Sequence, residues 1–258
     1  MVCKRLVCDW KDWELIEQTL QEYRVAVVTN FWSDSELHEV KKYQSSVEDW
    51  FLHSSEKLNY LTNNADDQGY HQIKEHWINP DYRDYKEGYG FRSQNSADSL
   101  PPEWGSKFIF IRNKLYEKTR LILDYFNLSN KLCSKNMISY AVHYPPCNND
   151  HPCAPHYDRN IFTMIISHDP HKLLQVKYKD EWITVPYLEN SVVIMVGMSF
   201  QWLTKEKIKA CWHQVKATNH SSFSTILFTY ADDPKIDTLL GRWKEWKNKR
   251  AKIRDSVD

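Results

Sequence analysis

The chain has 258 residues, with 34 basic and 34 acidic side chains and a formal net charge of zero. Hydrophobic residues make up 41% and aromatics 14%, which excludes a disordered tail and a generally basic nucleic-acid binder. No run of about 18 uncharged apolar residues occurs, so no membrane-spanning helix is expected. Met1 to Trp13 interleaves Lys4, Arg5, Asp9, Lys11 and Asp12 with apolar residues and does not read as a secretory leader. The six cysteines are scattered, without a C-x-x-C pair, and read as free thiols of a reducing, cytoplasmic compartment.

In chain order, residues 9–23 carry Trp13, Ile16, Leu20 and Tyr23 at helical spacing, with Asp9 as the expected cap. Val25 to Val28 is a short β-branched strand. Asp34 is the expected cap of a second helix bearing Leu37, Val40, Tyr43 and Val47. Residues 53–105 are polar and punctuated by Pro80, Pro101 and Pro102; so long a stretch is expected to hold short elements or to line a cleft. A third helix is expected to open at Asn113 and to carry Leu115, Ile122, Tyr125 and Phe126.

After residue 135 short Val-, Ile-, Phe- and Thr-rich runs alternate with turns, at 136–144, 160–167, 173–178, 181–185, 191–196, 210–216 and 223–230. That spacing predicts a β-sandwich or barrel, not a parallel α/β sheet. The segment Arg242 to Arg254 has seven basic residues against the single acid Glu245, and reads as a terminal helix with a solvated basic face.

The chemistry concentrates at His156-Tyr157-Asp158 and His213. In an extended segment His156 and Asp158 share one face. A distant histidine on a facing strand would complete two imidazoles and one carboxylate. Three ligands on one face of an octahedral ion leave three positions open, as in the facial triad of non-heme Fe(II) oxygenases. With eleven histidines in the chain, that pattern alone is weak. A turn aspartate with two packed or surface histidines is the competing reading. Cys147, His151, Cys153 and His156 also form a C-x₃-H-x-C-x₂-H string, but its tight H-x-C would be hard to wrap around a tetrahedral zinc ion.

The order of the flanking motifs is more specific. Tyr144-Pro145-Pro146-Cys147 precedes the H-x-D, and Thr163 follows it. Then come Leu174-Gln175-Val176, Trp182 with Val185-Pro186, Gly197 with Gln201, His213 with Val215, and Ser222-Phe223-Ser224. This series resembles the isopenicillin N synthase-like branch of the Fe(II)/2-oxoglutarate-dependent oxygenases. The clear resemblance covers about 136–234; a fainter one covers Arg24 to Asn30 and Gly69 to Phe91, where Lys86-Glu87-Gly88-Tyr89-Gly90-Phe91 looks like the family's K-E segment.

The resemblance implies a mainly β fold with flanking α-helices, a double-stranded β-helix or jelly roll. One domain, 1–258, would comprise a helical N-terminal part (1–130), the jelly-roll core (131–235) and a C-terminal helix (236–258). It implies Fe(II) held by His156, Asp158 and His213, with Tyr144, Ser222 and Ser224 at the co-substrate. The implied activity is oxidation of a C–H bond of a small molecule with O₂, with 2-oxoglutarate as the candidate co-substrate. A 2-oxoglutarate-independent oxidase and a non-catalytic jelly-roll binding protein are the alternatives. The expected partners are a small-molecule substrate and O₂, with no nucleic acid and no membrane, in a monomer.

One departure matters. The family's R-x-S arginine, which grips the far carboxylate of 2-oxoglutarate, is Ser222 here, while Ser224 keeps the serine. A hydroxyl gives one neutral hydrogen bond in place of a charged fork. Two further family positions hold Gln214 and Met198. A cation from elsewhere (Lys209, Arg159 or Lys172) could stand in, or the chain could take its electrons from another source.

Overall fold

The structure is a computed structural model and describes residues 5–62, 68–73, 84–92, 99–148, 152–168, 170 and 173–232. Its described elements run β1 (Val7–Asp9), α1 (Trp13–Tyr23), β2 (Val25–Thr29), α2 (Asp34–His53), β3 (Gly69–His71), β4 (Glu87–Arg92), α3 (Gly105–Tyr125), β5 (Leu132–Tyr144), β6 (Cys153–Tyr157), β7 (Phe162–Ser167), β8 (Leu174–Tyr178), β9 (Glu181–Thr184), β10 (Ser191–Val196), α4 (Met198–Leu203), β11 (Trp212–Val215) and β12 (Ser222–Ala231).

The strands form two facing sheets. The larger has the order β1-β2-β10-β7-β12-β5-β4-β3, the smaller β6-β11-β8-β9. Except for the β1–β2 pair, all neighbours are antiparallel. This is the expected jelly roll with flanking helices. Seven runs read from the sequence after residue 135 correspond to β5 and β7 to β12, with ends shifted by up to four residues. The segment 53–105 contributes β3 and β4, which extend the larger sheet, so strands as well as helices come from before residue 131.

The large sheet is buried on both faces, which explains its unbroken apolar runs. In β2, Val25 and Val27 point between the sheets, where they pack with Val176, Val193 and Met195. Ala26 and Val28 point the other way, into the core beneath α2 and α3. That second core is aromatic: Trp50, Trp104 and Tyr89 meet edge to face, with Trp104 and Tyr89 centroids 5.3 Å apart.

The helix starts differ from the expected ones. Asp12, not Asp9, caps α1 by accepting from the Leu15 amide at 3.0 Å. Ser33, not Asp34, caps α2, in a reciprocal box with Glu36. Each cap lies where its side-chain oxygen reaches the N3 amide, a local register that composition does not fix. α3 begins at Gly105, eight residues before Asn113, because Phe108, Ile111 and Leu115 already form a buried stripe. The proposed C-terminal helix and Lys172 lie outside the described residues. The five described cysteines, Cys8, Cys133, Cys147, Cys153 and Cys211, are free thiols. Among the described residues no helix is long and apolar enough to cross a membrane.

Candidate metal centre between the sheets

Strands β6 and β11 pair antiparallel, with His156 directly opposite His213. Cross-strand partners project to the same face. Their rings lie 4.2 Å apart, centroid to centroid, on the side facing the large sheet. Asp158 sits one residue beyond the end of β6 and turns back toward both rings. Its Oδ1 is 3.4 Å from His156 Nε2 and its Oδ2 is 3.6 Å from His213 Nε2. One ligand atom from each of the three residues falls within 4.8 Å of the others, and theirs is the grouping of metal-ligating type found among the described residues.

The second ring nitrogens orient the rings. His156 Nδ1 lies 2.7 Å from the Ala154 carbonyl, and His213 Nδ1 lies 3.1 Å from the Cys211 carbonyl. A carbonyl can only accept, so each Nδ1 carries a proton and each Nε2 faces Asp158. Burial, then the neighbouring His156, hold the His213 imidazole down to about 4, so this ring is neutral at physiological pH. Burial pushes Asp158 up, but His213 and His156 outweigh it and leave the carboxyl well below its ordinary range. Burial pushes the His156 imidazole down, but Cys153 and Asp158 outweigh it and hold it well above its ordinary value, so a metal binding here displaces the proton on His156 Nε2.

Asp158 is held by its own support. The Thr163 hydroxyl donates to Asp158 Oδ2, and Asn160 Nδ2 donates to Thr163 Oγ1 at 2.7 Å. The entry to α4 grips the same loop from behind: the amides of Gly197, Met198 and Ser199 donate to the carbonyls of Ile161, Asp158 and Asn160 at 2.8–3.0 Å. Thr163 entered the sequence reading only as a motif position, and Asn160 not at all.

Tyr144, Ser222 and Ser224 also face the space between the sheets. Ser222 pairs with Tyr144 across β12 and β5, and the Tyr144 hydroxyl bonds Ser224. They line a small cavity, partly open to solvent, together with Leu174, Val215 and Ile226. Val215 lies two residues along β11 from His213, on the same face, so the cavity adjoins the triad.

Lys86 is a further polar residue of this interior whose role was not assigned from sequence. It enters β4 on the face opposite to Glu87. Glu87 accepts from Tyr70, from His143 Nδ1 at 2.7 Å and from Lys57 at 3.3 Å in a network beneath α2. Lys86 instead lies 2.9 Å from Asp84, which is fully buried, and 3.5 Å from the Cys153 sulfur. Cys153 in turn is 4.0 Å from His156 Nδ1. The signal in the sequence was the spacing Asp84-x-Lys86, which sets two opposite charges on one face of an extended segment. Of the cations weighed as substitutes for the missing arginine, Lys209 is exposed and bonds Glu206 at 2.7 Å. Arg159 has Tyr230 and Asp158 as electrostatic neighbours.

Residues 133–230 match the family model of the 2OG-Fe(II) oxygenase superfamily. The 2'-deoxymugineic-acid 2'-dioxygenase of Hordeum vulgare is 31% identical over 129 residues, which are 49% of this chain and 37% of that protein. The chain thus spans little more than a third of that relative's length. A crystal structure of an oxygenase-like protein from Shewanella oneidensis superposes with a TM-score of 0.78 at 20% identity, covering 93% of this chain and 98% of that one. The structure of JOX2 in complex with 2OG, Fe and JA superposes with a TM-score of 0.74 at 17% identity, covering 88% and 75%. At these identities the superpositions speak for the fold. The family match thus spans the jelly-roll strands β5 to β12, whose order of motifs fits the isopenicillin N synthase-like branch of the 2OG-Fe(II) oxygenase superfamily.

Proposed function

We propose that the chain is a non-heme Fe(II)-dependent oxygenase or oxidase that uses O₂ to oxidise a C–H bond of a small molecule. His156, Asp158 and His213 hold the metal. The observation that carries this reading is the convergence of two Nε2 atoms on one carboxylate, with both rings oriented by backbone carbonyls at Nδ1. Two imidazoles and a carboxylate suit Fe(II), and three ligands on one face leave positions for O₂, substrate and an electron donor. When bound, the iron supplies the redox chemistry. The chain's own residues orient the ligand atoms, keep the ion in a largely buried site and shape the adjoining cavity.

The test is anaerobic loading of the full chain with Fe(II), followed by O₂-uptake measurements with candidate small molecules. About one bound equivalent, with uptake that depends on an added compound, is expected. Absence of bound iron would instead favour a jelly-roll protein that binds ligands without catalysis.

Thr163→Val removes the hydroxyl that fixes Asp158 while keeping the side chain's shape. Outer partners of this kind typically contribute 10–100-fold to metal affinity. A loss of about that size in Fe(II) affinity is expected from competition with a chelator. Unchanged affinity would separate Thr163 from the metal centre.

A further inference from the structure

The cavity beside the triad does not match a dicarboxylate. Its charged-ligand position is Ser222, and the polar groups around it are the hydroxyls of Tyr144, Ser222, Ser224 and Ser167. No Lys, Arg or His lines it among the described residues. Tyr144 stays neutral, because burial raises it. The remaining wall is apolar, formed by Phe223 and by aliphatic residues including Leu174, Val215 and Ile226.

Among the described residues, Lys86 and Lys209 already have partners. The Lys86 ammonium faces the buried Asp84 carboxylate at 2.9 Å, so the pair adds no net charge. Lys209 points to solvent and to Glu206. A carboxylate placed among neutral hydroxyls and aliphatic groups loses its hydration without gaining a counter-charge. A neutral tail loses little hydration and gains apolar contact. Hydroxyls that rotate can also donate to, or accept from, a neutral oxygen.

We infer that this cavity receives the far end of a monocarboxylic 2-oxo acid, one whose tail is apolar or carries a neutral polar group, in preference to 2-oxoglutarate. The inference rests on the metal reading above, since the 2-oxo carboxylate end must meet the ion beside the cavity. A branched aliphatic tail suits the wall formed by Leu174, Val215 and Ile226. The serine at 222 is then a specificity determinant, and the space an arginine would fill is left to the ligand.

The experiment uses the full chain loaded anaerobically with Fe(II), with metal content measured first. Three probes are titrated: 2-oxo-4-methylpentanoate, pyruvate and 2-oxoglutarate. Binding is read by calorimetry and by the visible charge-transfer band of a chelated 2-oxo acid. The branched acid is expected to bind at least about tenfold more tightly than 2-oxoglutarate, a difference of about 1.4 kcal/mol. Pyruvate, which lacks the tail, is expected to bind more weakly than the branched acid. Ser222→Arg is expected to reverse the order of the branched acid and 2-oxoglutarate. Equal or tighter binding of 2-oxoglutarate by the unaltered chain overturns the inference, and loss of that binding in Lys172→Met or Lys86→Met would identify the cation responsible. No band with any probe on an iron-loaded chain overturns it too, while leaving the metal reading intact. A chain that binds no iron removes both.

Discussion

Replacing His213 by alanine is expected to reduce bound Fe(II) from about one equivalent to near zero at micromolar metal. His213 supplies one of three protein ligands, and its Nε2 lies 3.6 Å from Asp158 Oδ2 in the space an ion would occupy. The loss should exceed the 10–100-fold attributable to an outer partner, because the lone pair itself is removed. Two side chains would remain, and Asp158 would have one imidazole beside it instead of two. A second readout separates metal loss from misfolding. A ligand that binds only the folded state raises stability by RT ln(1 + [L]/Kd), about 2.7 kcal/mol at 100 times Kd. Fe(II) should therefore raise the anaerobic unfolding midpoint of the unaltered chain and leave that of His213→Ala unmoved. The variant's apo midpoint should show a folded protein, since the β11 backbone stays paired on both sides. Stoichiometric iron in a folded His213→Ala protein would remove His213 from the centre and, with it, the facial-triad reading.

The strands of the core were legible because they obey a local rule. A strand covered on both faces favours apolar residues at successive positions, and 192–196 shows it without knowledge of its neighbours, while 223–230 keeps Ser224, Thr225 and Thr229 among its apolar residues. The pair His156 and Asp158 was legible for a similar reason, since two residues apart in extended chain means one face, although Asp158 sits just past the strand. His213 is different. Nothing local marks it, and its pairing with His156 follows from the sheet register, so only the order of motifs along the chain pointed there. The helix starts were misplaced because several nearby polar residues can cap, and the choice among Asp9 and Asp12, or Ser33 and Asp34, is made by packing. Lys86 escaped assignment because its meaning depends on Asp84 and Cys153, the latter 67 residues away. Asn160 and Gly197 escaped it because their contact exists only once β10 leads into α4 against the 158–161 loop.

That last contact has the largest structural consequence in the site. At Gly197 an added Cβ would lie 2.1 Å from the Asn160 carbonyl oxygen and 2.2 Å from its Oδ1. The backbone there, at φ −93°, is open to any residue, so the obstacle is contact and not torsion. Neither oxygen can simply swing away. The carbonyl accepts the Ser199 amide at 3.0 Å, and the side-chain amide is committed to Thr163 at 2.7 Å. Gly197→Ala must therefore push the 158–161 loop as a unit. Overpacking of this kind costs about 1–3 kcal/mol or more. A lowered denaturant midpoint with unchanged slope is the expected result. The push also passes from Asn160 to Thr163 and from Thr163 to Asp158, so Fe(II) affinity should fall at least as far as in Thr163→Val. The two variants then differ in kind: Thr163→Val should weaken iron binding with a smaller change in midpoint, Gly197→Ala should lower both. A Gly197→Ala protein with the original midpoint and the original iron affinity would mean that the loop yields freely, and that Asp158 is not held in place by the packing behind it.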